Sequence, residues 1–108
     1  MVNYQKLDDM MVKLGHPENL LGTEYIRQGI AMRDAGRAQL TKDIYPGIAR
    51  VANTTAERVE RCMRTSIDVA YRRGDPVEWL GLFGTSAARA RPTVGEYLAR
   101  MARVCRED

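Results

Sequence analysis

Apolar residues recur along this chain at helical spacing. Leu7, Met10, Met11 and Leu14 fall at i, i+3, i+4 and i+7, which predicts a first helix over "YQKLDDMMVKL", stopped by Gly15 and Pro17. "GTEYIRQGIAMRDAG" predicts a second, with Tyr25, Ile26, Ile30 and Met32 as its apolar positions, Thr23 as its cap and Gly36 as its end. "TKDIYPGIARVAN" predicts a shorter third helix, in which Pro46 is tolerable because it falls in the first turn. The fourth runs from about residue 55 to Arg73 and stops at Gly74. Its start, Thr54-Thr55-Ala56-Glu57, reads as a capping box, a threonine oxygen taking an amide while Glu57 reaches back. Asp75-Pro76-Val77-Glu78 reads as a second box, with proline at the first helical position of a short fifth helix. Thr93-Val94-Gly95-Glu96 is a third, opening a helix to about residue 105. No sustained period-two alternation and no Asn-Gly hairpin signal occurs. The expected fold class is all-α: a compact six-helix domain over residues 1–108, with "GTSAARARP" as its one long loop.

The third and fourth helices are separated by only a few residues around Asn53, the spacing of a helix-turn-helix, here at about 41–73. Ile48, Ala49 and Ala52 give the first of the pair a small apolar inner face, so the second can cross closely. Asn53 sits where the turn calls for a left-handed residue, a conformation asparagine tolerates. Val59, Cys62, Met63, Ser66, Ile67 and Ala70 line the side of the fourth helix expected to pack inward. The opposite side carries Glu57, Arg58, Glu60, Arg61, Arg64, Thr65 and Asp68.

Composition narrows the classes. A chain of 108 residues with 44% hydrophobic content can bury a core, and no apolar run approaches the roughly 20 residues of a membrane span. The start, "MVNYQKLDDMMVKLG", has no signal-peptide pattern, so a soluble, cytoplasmic protein is expected. Cys62 and Cys105 are far apart and, with one histidine, make no zinc set; free thiols and no metal or other cofactor are expected. His16, before Pro17 at a helix end, reads as a solvent-facing or capping residue. With no nucleophile motif and no phosphate loop, catalysis is not expected.

Charge adds more. The net charge is a mild +3, yet residues 58–73 hold five arginines against Glu60 and Asp68. A local basic stripe suits a polyanion; the plainer reading is a solvated face laced with i,i+4 pairs. The N-terminal half of a recognition helix enters the major groove, where arginine reads guanine through two parallel hydrogen bonds. A carboxylate is repelled by phosphates, but it can accept from cytosine N4 or orient a neighbouring arginine. Glu60 among Arg58, Arg61 and Arg64 therefore suggests sequence readout rather than simple attraction.

The stretch "IYPGIARVANTTAERVERCMRTSIDVAYRRG" resembles the C-terminal DNA-binding domain of the sporulation initiation response regulator family of endospore-forming bacteria. Upstream, "LGHPENLLGTEYIRQGIAM" resembles that family's Leu-Gly-x-Pro…Gly…Tyr-(Ile/Leu)-Arg entry; downstream, "LFGTSAARARPTVGEYLARMA" resembles its Leu-Phe-Gly…Lys-Pro-Thr…Glu-Phe close. The resemblance implies a six-helix fold with a helix-turn-helix, and sequence-specific binding to short, often tandem, promoter boxes that activates or represses transcription. Arg58, Glu60, Arg61 and Arg64 match the family's recognition-helix positions. Thr65 stands where the family often has histidine, and "RDAGRAQLTKD" is shorter than the family's version. The family joins this domain to an N-terminal receiver; nothing in these residues resembles one.

The candidate site is thus Arg58, Glu60, Arg61 and Arg64 for base readout. Thr55, Thr65, Arg89 and Arg91 are candidates for flanking or phosphate contacts. Trp79, Leu80, Leu82 and Phe83 read first as a core wedge under the helix pair; as a surface, Trp79 and Leu80 would face the RNA polymerase sigma subunit, which the resemblance implies. The expected partner is double-stranded DNA, bound in tandem by a chain that is a monomer or weak dimer in solution and has no membrane association. The alternative is a protein-interaction module that docks an acidic partner, or modulates a full-length regulator, without promoter binding of its own.

Overall fold

Four helices begin where a short polar side chain accepts a hydrogen bond from an early helical amide, replacing a partner that the helix itself cannot supply. In the computed structural model, which describes residues 1–84 and 91–106, Asn3 caps α1 (Tyr4–Lys13), Thr55 caps α4 (Ala56–Arg73), Asp75 caps α5 (Pro76–Phe83) and Thr93 caps α6 (Val94–Val104). α2 (Leu21–Asp34) and α3 (Tyr45–Ala52) begin without a side-chain cap. Among the described residues the chain forms these six α-helices and no sheet, as the periodicity predicts.

The starts of α2, α3, α4 and α5 differ from expectation. Thr55 does hold the Arg58 amide, at 3.2 Å, but Arg58 is the third helical residue and Glu57 the second, so Glu57 is misplaced for the return bond of a box. Among the described residues both arms of a capping box close only at α6, between Thr93 and Glu96. Thr23 is not a cap: α2 starts at Leu21, and the Thr23 hydroxyl bonds Ser66 at 2.9 Å instead. Before α3 the chain makes a π-helical turn over Leu40–Ile44, with the Ile44 and Tyr45 amides donating five residues back. Pro46 follows directly, the second residue of α3.

α2 is the central strut. It packs on α4 and α6, while α3 packs on α4. Leu7, Leu14, Ile26, Ile30, Ile44, Ile48, Met63, Ile67, Leu98 and Met101 are fully buried between them. Trp79 of α5 is 2% exposed, and its indole N–H donates to the Leu14 carbonyl at 3.0 Å, satisfying an orphan acceptor at the end of α1. Its ring stacks on Phe83 at 5.4 Å and meets Tyr71 edge-on at 5.3 Å. Leu82 and Phe83 are half-buried against the core, so the core-wedge reading fits Trp79, Leu82 and Phe83, and Trp79 is removed from any polymerase-facing surface; Leu80, 46% exposed, lies outside the wedge. Among the described residues no helix is long and apolar enough to cross a membrane.

Candidate nucleic-acid interface

α3 and α4 are joined by Asn53, Thr54 and Thr55. Asn53 has φ 56° and ψ 52°, the left-handed conformation expected of it. This turns the chain sharply, and the Asn53 and Thr54 amides both donate to the Ala49 carbonyl. Ile48 and Ala49 are buried against α4, whereas Ala52 is exposed and lies outside the inner face assigned to it. On α4, Val59, Met63, Ser66, Ile67 and Ala70 are buried and Cys62 is half-buried, so the inward side is as predicted.

The outward side of α4 separates its arginines into two kinds. Arg58 and Arg61, in the first two turns, are exposed, and among the described residues neither guanidinium has an ion-pair partner. Glu57 stands four residues before Arg61, but that pair is not formed. Arg64 is held by Glu60 at 2.5 Å across one turn. Arg72 is held by Asp68 at 2.7 Å, again across one turn. The two free guanidinia thus sit in the N-terminal half of the helix, where the backbone dipole favours anions, beside Glu57, equally unpaired among the described residues. Thr65 is exposed beside Arg64, and Thr55 is occupied in its cap.

Arg91 lies in the segment leading into α6. Its guanidinium is 3.4 Å from the Asp68 carboxylate. Arg64 and Arg91 face one open groove of about 420 Å³, floored by Leu40, Tyr45, Ile67 and Val94. Burial raises the Tyr45 hydroxyl above its ordinary pKa, with Glu60 adding in the same direction, so the phenol stays neutral there. Arg89 lies outside the described residues.

Residues 7–104 match the family model described as Sporulation initiation factor Spo0A C terminal. The chain belongs to this family. The Spo0A C-terminal family is a DNA-binding domain of a sporulation regulator, concerned with transcription and not a class of enzymes. As the match covers both α3 and α4, the arginine-bearing helix lies inside the family's own territory rather than in an appendage. Among the described residues, no group of three or more His, Cys, Asp or Glu is placed to hold a metal ion.

Behind the face lies a polar arrangement that sequence reasoning missed. His16 is 5% exposed, not solvent-facing. Its Nδ1 is 2.9 Å from the Ser66 hydroxyl and its Nε2 is 2.6 Å from the Tyr97 hydroxyl. Ser66 in turn meets Thr23. The chain links the α1–α2 connection, α2, α4 and α6, and burial pushes the imidazole pKa down to about 4. The available signal was a serine on the predicted inner side of the fourth helix, which required a buried polar partner.

Proposed function

We propose that α3 and α4 act as a helix-turn-helix that places α4 in the major groove of short promoter boxes, with Arg58, Glu60, Arg61 and Arg64 reading bases. The observation that carries this reading is the division along α4: two unpaired arginines at its leading end, then an arginine fixed in direction by Glu60. A guanidinium held by a carboxylate loses less conformational freedom on pairing with guanine. Arg91, Thr55 and Thr65 would contact flanking backbone, positioning the protein without reading sequence. Off DNA the protein would be a monomer or weak dimer, and copies would bind side by side on tandem sites; sedimentation at low micromolar concentration checks the first point. The exposed Leu80 remains as a candidate contact for the polymerase sigma subunit.

A site recovered by selection from random duplex DNA allows the test. Arg61→Ala is expected to cost about 1–3 kcal/mol on that site and to relax discrimination at one base pair. Glu60→Ala is expected to behave differently. It removes a charge that phosphates repel and releases Arg64, so affinity for scrambled duplex should hold or rise while the cognate-to-scrambled ratio falls. Affinities for both duplexes at two salt concentrations give the answer. Equal weak binding of wild type to both would remove promoter reading and leave the protein-interaction alternative, for which the i,i+4 pairs 60–64 and 68–72 are an ordinary solvated face.

A further inference from the structure

Glu60, Arg64, Asp68 and Arg72 stand four residues apart and form a column of alternating charge along α4. Glu60 has one partner in that column. Asp68 has two, in different elements: its Oδ2 takes Arg72 at 2.7 Å and its Oδ1 takes Arg91 at 3.4 Å. Arg91 precedes Pro92, whose ring fixes the backbone, and Thr93, which is locked into the α6 capping box. The main chain is therefore tied down immediately after Arg91, and its side chain is tied to α4. A loop arginine is fixed at both ends beside Arg64, on the rim of the same groove.

We propose that Asp68 is a positioning residue for DNA binding: it docks Arg91 against α4 so that the guanidinium meets the backbone phosphate flanking the bases read by Arg64. This rests on the proposed entry of α4 into the major groove. Asp68 itself touches no nucleic acid. As a bare charge it would oppose binding, because a carboxylate near phosphates repels them. Positioning and simple repulsion therefore predict opposite signs when the carboxylate is removed, and the sign decides.

The experiment compares wild type, Asp68→Asn, Asp68→Glu, Arg91→Ala, Arg72→Ala and the Asp68→Asn/Arg91→Ala double variant on selected and scrambled duplexes across a salt series. Melting temperature confirms that each variant is folded; Asp68 lies on the surface of α4, and Arg91→Ala leaves α4 untouched. Asp68→Asn is expected to weaken binding to both duplexes and to lower the slope of log K against log salt by about 0.9, the value for one lost phosphate contact. Arg91→Ala is expected to do the same, and the double variant to be no weaker than Arg91→Ala alone. Asp68→Glu should restore the wild-type slope, and Arg72→Ala alone should not reproduce the Asp68→Asn loss. Tighter binding by Asp68→Asn, or an undiminished Arg91→Ala effect in its background, would overturn the proposal while leaving base readout standing. Wild type that prefers neither duplex would overturn both readings.

Discussion

Replacing Gly22 with alanine is expected to destabilise this protein by about 3 kcal/mol, the upper end of the ordinary cost of an added methyl in a packed core, and to lower its melting temperature by roughly 12–24 °C. Gly22 lies in the first turn of α2 where that helix crosses α4. A Cβ there would sit 1.9 Å from the Cys62 carbonyl oxygen, 2.6 Å from its carbonyl carbon and 3.0 Å from Ser66 Cβ. The first two are backbone atoms, so no side chain can swing aside. The helices would have to separate, and separation would stretch the 2.9 Å bond between Thr23 and Ser66 and open the layer around Ile26 and Met63. Gly81 supplies the control. It lies within α5, a Cβ on it would meet nothing within 4 Å, and helix propensity alone then favours alanine. Gly81→Ala should be neutral or stabilising by up to about 1 kcal/mol. Thermal unfolding followed by circular dichroism checks both; a Gly22→Ala protein that melts within a few degrees of wild type would show that α2 and α4 can part cheaply. Since α4 carries the arginine face and α2 supports it, the variant should also lose DNA affinity as it approaches its lowered melting point.

That close approach was not legible in the sequence, whereas much of the fold was. Helix positions followed from short-range rules. Apolar spacing, Thr55, Asp75 and Thr93 as caps, and Asn53 in a left-handed turn all depend on neighbours within a few residues. The same locality explains why the Glu60–Arg64 pair could be anticipated, as i,i+4 spacing alone brings such side chains together. Features that failed depend on partners far along the chain. Thr23 precedes Glu24 in a polar stretch and looks like a cap, but its partner is Ser66, 43 residues on. The Asp68–Arg91 contact crosses elements and needs the start of α6 to lie beside α4. Gly22 reads as a helix entry, and only the crossing shows that its missing side chain is the point of contact.

His16 is the clearest case of a long-range partner, and it leads to the second large effect, an acid-sensitive stability. Its two ring nitrogens bond Ser66 and Tyr97, 50 and 81 residues away. Among the described residues Tyr97 has no other partner for its hydroxyl hydrogen, so the arrangement that leaves no hydrogen idle has Tyr97 donating to Nε2 and Nδ1–H donating to Ser66. Burial keeps the Tyr97 phenol protonated and raises its pKa well above the ordinary value. A second proton on the imidazole would put two hydrogens between Nε2 and the phenol oxygen and would bury a charge. Burial of the charged ring, which has no ionic partner among the described residues, is why the folded-state pKa falls from 6.5 to about 4. In the unfolded chain the same group binds its proton near pH 6.5, so between these values the unfolded state holds more protons than the folded one. Stability then rises with pH across the window: the contribution is fully present above about 6.5 and is lost as pH falls toward 4. A shift of this size corresponds to about 3 kcal/mol. Urea denaturation at half-unit steps from pH 4 to 7 should show wild type losing stability steadily on acidification. His16→Gln, which cannot take up the proton, should start less stable at pH 7 and lose much less over the same range. Parallel curves for the two proteins would mean that His16 titrates alike in both states and that the Ser66–His16–Tyr97 chain does not select the neutral ring.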